Sequence, residues 1–375
     1  MSGGTVQLVA IGAQDAHLSG KPEVSFFRSN YKRHTHFAQS VERQVIQGSI
    51  GTGAMSTIRI ERKGDLLSYM YLMAKDSNGL VTAVDWTKHI DKIEMYIGGQ
   101  LIDTQDQTFN YLIEPVCMAD TYSKRYLGNA TGADASTVRT NIINTWFPFK
   151  FFFCKDYQNS LPLVGLQFHD VEFRIYWATP SASYLYECWA NFLYLDNSER
   201  EYFASTDLDM LIWQVQRVLL PADYRAELVF NHPIKFIASN VSVYTSGNQQ
   251  VKTQINGTDV GEYRGLPHWV EVPQYYHTPY GFSNPGTTQP GAASNVFMIP
   301  FCLDTSKLQP TGTLNFSRID SYRLLSLLGS GVPLTAASGT TIFNSGSLSP
   351  TPYIYAVNYN ILRIQKGQAG LLYSN

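Results

Sequence analysis

The chain has 375 residues, enough for two domains that each bury a core, and its 28 basic and 30 acidic residues leave a net charge of −2. That balance excludes a protein that coats nucleic acid through broad electrostatic attraction. Charged residues are only 15%, against roughly 25% in an average soluble protein, and aromatics reach 13%; faces covered by neighbouring subunits fit this, and so does the ordinary aromatic richness of β proteins.

Residues 1–22 are apolar, Gly-containing and weakly periodic, a composition suited to an arm that orders against something else. FFRSNYKRHTHFAQSVERQVIQGSI follows with the first long strand pattern, and GDLLSYMYLMA (64–74) with a second. HIDKIEMYIGGQLID (89–103) predicts a hairpin around Gly98-Gly99. QTFNYLIEPVCMADTYSKRYLG is the helical candidate of this half, with Pro115 expected to break or kink it. Residues 128–141 lack apolar periodicity and predict an exposed loop. WFPFKFFFC (146–154), the stretch 160–177 and YLYECWANFLYLD (184–196) supply further strands, and a domain boundary near 205–210 follows a short polar segment. Beyond it, MLIWQVQRVLL and AELVFNHPIKFIASNVSVYT open a second set of strands, and residues 246–292 predict long loops outside the core. VFMIPFCLD through RLLSL, a polar loop (329–350) and a final strand alternating Tyr355, Val357, Tyr359, Ile361 and Arg363 close the chain.

One unit occurs twice. With Cys154 set on Cys302, an offset of 148 pairs Phe153 with Phe301, Asp156 with Asp304, Pro162 with Pro310, Phe168 with Phe316 and Glu172 with Asp320, without a gap. Asp170 and Arg318 fall within the same unit. The layout is a strand, a turn and a second strand, so the chain reads as two similar β domains in tandem. Many short strands, few helices and long loops predict sandwiches or jelly rolls. Three two-lobed subunits around a threefold axis would outline a near-hexagonal tile.

The segments LVAIGAQDAHLSGKPEVSFFRSNYKRHTHF, LPLVGLQFHDVEF, LVFNHPIKF, LQPTGTLNFSRID and NYNILRIQKGQAGLLYSN, in this order from residue 8 to residue 375, resemble the double jelly-roll major capsid proteins of nucleocytoplasmic large DNA viruses. NFSRID together with the ending is the specific part; the connecting loops match poorly. The resemblance implies an all-β chain of two tandem eight-stranded antiparallel jelly rolls, divided as an N-terminal arm (1–22), a first roll (23–207) and a second roll (208–375). It implies a homotrimeric capsomer in an icosahedral shell, assembled in the host cytoplasm over an internal viral membrane. The expected partners are neighbouring capsomers and minor capsid and penton proteins, with no cofactor and no direct nucleic-acid binding.

The rival reading is a cupin-like or carbohydrate-binding jelly roll. His34 and His36 alternate on a predicted strand, but Arg28 stands where the metal motif needs Gly, and Asn315 stands where the second motif needs its third imidazole. No nucleophile elbow or phosphate loop is present, and Asp103 with Asp106, like Asp207 with Asp209, reads as a pair of solvated turn residues. No enzymatic activity is expected. Cys117, Cys154, Cys188 and Cys302 form no CxxC pair and read as reduced, mostly buried thiols. Ser2 occupies the place where myristoylation needs Gly, the opening is no secretory signal, and no apolar run approaches the ~18–20 residues of a membrane helix.

Arg28, Lys32 and Arg33 form the densest positive patch near the arm, fit for anionic lipid, for an acidic minor protein or for a solvated strand face. Asn129, Asn240, Asn256 and Asn315 begin N-x-[ST] sequons; Asn129 and Asn256 fall in loop-like sequence, and Asn315 is expected to be buried in the repeated unit. Cytoplasmic assembly would keep all four from the secretory machinery. Arg318 and Asp320, on one face of a predicted strand, suit a pairing across the interface between the lobes or with each other at the surface.

Overall fold

The computed structural model describes residue 4 and residues 12–84, 86–121, 124, 145–179, 184–219, 225–239, 249–279, 296–328 and 353–374. Contacts divide the chain into two units, Met1–His36 and Phe37–Asn375. In the first, the described residues are exposed and form one helical turn, Ala16–Ser19. The strand pattern expected from Phe26 begins only at Phe37, so Arg28, Lys32, Arg33, His34 and His36 lie outside any strand.

In the second unit the described strands are β1 (Phe37–Gln44), β2 (Ile46–Gly48), β3 (Met55–Arg59), β4 (Leu66–Lys75), β5 (Ile90–Ile97), β6 (Gln100–Asp106), β7 (Trp146–Pro148), β8 (Leu161–Pro162), β9 (Val171–Trp177) and β10 (Leu185–Leu195). After the helix Asn197–Ser205 come β11 (Leu208–Leu219), β12 (Arg225–Glu227), β13 (Pro233–Ser239), β14 (Gln249–Ile255), β15 (Thr258–Gly265), β16 (Phe297–Pro300), β17 (Leu314–Asn315), β18 (Tyr322–Leu328), β19 (Tyr353–Gln365) and β20 (Gln368–Leu371).

The first lobe has sheets ordered β1-β10-β4-β7, with β8 on β4, and β2-β3-β9-β5-β6. The second has β11-β19-β13-β16, with β17 on β13, and β12-β18-β14-β15. Apart from the extra strands β2 and β20, each sheet of the second lobe repeats the order of one in the first. The chain is therefore a double jelly roll, with each lobe's two sheets closing over alternate side chains. On β9 these inward residues are Val171, Phe173, Ile175 and Trp177. The second lobe's own core gathers Ile234, Ile237, Phe297, Phe316, Leu324 and Ile354.

Hairpin β5–β6 turns at Gly98-Gly99 as expected, with φ of 57° and 80°. Its twin β14–β15 turns at Asn256-Gly257, with φ of 49° and 80°, the left-handed pair of a type I′ turn. That hairpin and the helices Leu266–Trp269 and Glu271–His277 occupy a stretch expected to be loop. Its strands are polar because β15 is an exposed edge. Pro115 does not end the helical segment. A π-helical turn, Phe109–Ile113, precedes it and leaves Pro115 in the first turn of Glu114–Cys117, where its missing N–H costs little.

The repeat is real, but its register differs from an offset of 148. Pro148 pairs with Tyr71, and Pro300 with Phe236, at matching places on β4 and β13. The 3₁₀ turn after β8 starts at Leu163 and the one after β17 at Phe316. Val171 accepts from the Ile60 N–H as Tyr322 accepts from the Leu228 N–H. Leu163, not Phe168, is thus the twin of Phe316; Phe168 is 70% exposed and Phe316 is 3% exposed. Pro162 is buried in β8, whereas Pro310 is exposed and outside any strand. Connections of unequal length defeat an ungapped alignment.

Candidate assembly surfaces

The sheet β11-β19-β13-β16 is apolar on both faces. Ile237, Ile354 and Ala356 enter the second lobe's core, while Trp213, Phe236, Met298, Tyr355 and Val357 join the first lobe's cluster. Phe109, just beyond β6, centres this seam, its ring 6.2 Å from both Trp213 and Tyr355.

A buried polar row runs beside the rings. The Val215 N–H donates to Asp103 Oδ1 at 2.9 Å, and the Gln214 amide donates to the Ile102 carbonyl. Asp106 Oδ2 accepts from Arg217 Nη1 at 2.8 Å and from the Tyr355 hydroxyl at 2.6 Å. Among the described residues no cation pairs with Asp103, and burial pushes its carboxyl up to about 7 against the pull of its hydrogen bonds from Val215 and Gln105. Lys235, buried on β13 beside β19, is lowered to about 8 by desolvation; its ammonium donates to the Lys307 carbonyl at 3.0 Å and lies 5.6 Å from the Tyr359 ring. Asp103 and Asp106, read from sequence as solvated turn residues, are buried here because the second lobe lies over β6. Asp207 and Asp209 stay at the surface, where Asp209 accepts from Arg363 and Asp207 from Gln365.

The corresponding face of the first lobe, on β1-β10-β4-β7, is open. A groove of about 980 Å³ runs along it, lined by Phe37, Tyr69, Tyr71, Trp146, Leu193 and Leu195 among others. Tyr71 and Trp146 meet edge to face at 6.0 Å.

The remaining predicted residues are dispersed. Arg28, Lys32 and Arg33 are exposed, as are Phe26, Phe27 and Tyr31 beside them. Asn129 and Asn240 lie outside the described residues, as do the predicted loops 128–141 and 329–350. Asn256 is exposed, and its Oδ1 accepts from the Asp320 and Ser321 N–H groups at 3.0 and 3.1 Å. Asn315 is exposed rather than buried, because its side chain accepts from the Ser317 N–H and caps the 3₁₀ turn Phe316–Arg318. That turn takes the place of the strand expected to carry Arg318 and Asp320; both are exposed, without an ion pair among the described residues. Asp170 is ion-paired with Arg59 and Arg62 at the surface. Cys117, Cys188 and Cys302 are buried and Cys154 is partly so, all as free thiols. Among the described residues no three His, Cys, Asp or Glu side chains gather to hold a metal, and no helix is long and apolar enough to cross a membrane. The seam residues themselves left little trace in sequence, since Asp103 and Val215 are 112 positions apart.

The family model for the major capsid protein N-terminus matches residues 25–196, and that for the large eukaryotic DNA virus major capsid protein matches residues 249–370. The major capsid protein of Pyramimonas orientalis virus is 30% identical, with both chains covered in full. That of Paramecium bursaria Chlorella virus 1 is 29% identical, again over the whole of both. Among solved structures, a quasi-atomic PBCV-1 capsid chain superposes with a TM-score of 0.68 at 25% identity, over 94% of this chain and 100% of that one. The Faustovirus major capsid protein shares the fold at a TM-score of 0.56 and 10% identity, over 95% of each chain.

Proposed function

Because the chain belongs to the major capsid proteins of large eukaryotic DNA viruses, we propose that three copies form a homotrimeric, pseudo-hexagonal capsomer that tiles an icosahedral shell. The observation carrying this reading is the twinned strand order: two lobes of one connectivity give three chains six similar walls around a common axis. The division that serves it is an arm (1–22), a first jelly roll (23–207) and a second (208–375), meeting in the turn between Ser205 and β11.

The subunit works by association, without catalysis. Obligate contacts within a capsomer bury about 2,000–5,000 Å². Contacts between capsomers, and with minor capsid and penton proteins, are smaller and reversible. Misplaced units therefore leave before the lattice closes, and assembly proceeds in the host cytoplasm without a cofactor. Light scattering on the purified protein is expected to give about 126 kDa for three copies of a 42.1 kDa chain; a stable single-chain mass would contradict the capsomer.

The segment next to the arm supplies the inner contact. Arg28, Lys32 and Arg33 stand among the exposed rings of Phe26, Phe27 and Tyr31, and basic with aromatic side chains suit an anionic surface beneath the shell, membrane or acidic minor protein. Each charge contributes about 1 kcal/mol near anionic lipid. Reversing all three to Glu is expected to loosen the shell from the layer below, seen as separated shells in micrographs; shells that stay attached would remove this basic patch from that role.

A further inference from the structure

Three reactive side chains share one buried place in the first lobe. Asn110 is in the π-helical turn after β6, and Glu114 follows four positions later, on the same side of the helical segment. Lys150, just past β7, reaches them from the lobe's other sheet: its Nζ lies 3.0 Å from Glu114 Oε2 and donates to the Asn110 carbonyl at 2.5 Å. The Gln105 amide holds the Lys150 backbone by donating to its carbonyl at 2.9 Å. Asn110 is 4% exposed and Lys150 is 9% exposed, with Phe109, Phe149 and Phe151 in the surrounding core.

A simple ion pair leaves two features of this place unused. The buried Oδ1 of Asn110 accepts no hydrogen bond among the described residues, a condition that a purely structural asparagine rarely tolerates. The lysine is also costly to keep charged, since desolvation lowers its pKa against the pull of Glu114. An amine inclined to be neutral, a carboxamide oxygen without a donor and a carboxyl beside the amine are the parts that an amide exchange needs. The carboxamide carbon of Asn110 is two bonds from its Cα, within the sweep of the lysine stem that already touches the same residue's carbonyl.

We infer that Lys150 and Asn110 are the two ends of an intramolecular isopeptide bond, formed by attack of Nζ on the Asn110 carboxamide carbon with Glu114 as proton carrier. The ammonium first passes a proton to Glu114 across their 3.0 Å contact. The freed lone pair forms the Nζ–Cγ bond, the Cγ–Nδ2 bond breaks, and Glu114 relays the protons that let Nδ2 leave as ammonia. The ammonia departs with the last proton as ammonium, so Glu114 ends as the carboxylate it began as, and no oxidant or reductant is required. The link joins residues forty positions apart and ties the helical segment after β6, in one sheet of the lobe, to the end of β7 in the other. Neither end depends on assembly, so the bond is expected in a lone subunit as in a capsomer.

Mass spectrometry of the denatured full chain tests it. Expected is a mass one ammonia below that of the sequence and, after trypsin, a branched peptide joining 93–124 to 140–155, with cleavage blocked at Lys150. Lys150→Met and Glu114→Gln are each expected to restore the full mass and the separate peptides. A full mass for the unaltered chain, with cleavage after Lys150, overturns the bond. So does a mass loss that survives Lys150→Met, or one that fragmentation places within 93–124 alone, as a cyclic imide at Asn110 would. A branched peptide that persists in Glu114→Gln overturns the role of Glu114. The unaltered chain carries the decision on the bond, whether or not a variant folds.

Discussion

Asp103 and Asp106 leave the same strand for different surroundings. Asp106 meets the Arg217 guanidinium and the Tyr355 hydroxyl, whereas Asp103 meets neutral donors only. With no cation to offset desolvation, Asp103 holds its proton up to about 7 in the folded protein, against 3.8 for its ordinary value. Between those values the folded chain binds more protons than the unfolded one, so stability falls as pH rises from about 4 to about 7 and is flat above. Asp103→Asn removes that slope, an effect on the order of 2–4 kcal/mol across the interval. Urea denaturation at pH 5 and pH 7.5 reads it: the variant is expected to lose less stability between the two than the unaltered chain. Losing its hydrogen bond from Gln105 would lower the variant at both pH values and leaves the comparison intact. In sequence these carboxylates look like any strand-end pair, because what distinguishes them comes from β11.

At the scale of elements, apolar alternation disclosed strands that bury one face, such as β4 and β9, and the Gly98-Gly99 turn disclosed its hairpin, while β19 is buried on both faces. The same turn chemistry at Asn256-Gly257 was equally visible, but β14 and β15 carry Gln, Lys, Thr, Asp and Glu and lack an apolar stripe. The helix Asn197–Ser205 was read only as a short polar segment, although Asp196 caps it by accepting from the Glu199 N–H. The repeated unit was legible as a pattern and misread in register, and the correction has an energetic consequence. Phe316→Ala and Leu163→Ala each empty a buried site and are expected to cost about 2–5 kcal/mol. Phe168→Ala, at an exposed position, is expected to cost less than about 1 kcal/mol. Denaturant midpoints decide: a large loss at Phe168 would restore the offset of 148.

For the whole molecule, the low charge and high aromatic content now have addresses. Part of the aromatic excess fills the seam between the lobes, and part lies open on the first lobe's groove and on the ridge at Tyr275 and Tyr276. A monomer left with those faces in water would be prone to nonspecific association. Fold class and family were legible because the segments that carry them are strand cores and tight turns, which the local sequence dictates. The seam was not, since it joins residues more than a hundred positions apart. The central claim, that twin lobes let three chains close a six-walled ring, is tested most directly by electron-microscopy class averages of the purified protein. The account predicts face-on views with six lobes around one centre and threefold symmetry; averages showing isolated two-lobed particles, or rings with any other number of lobes, would contradict it.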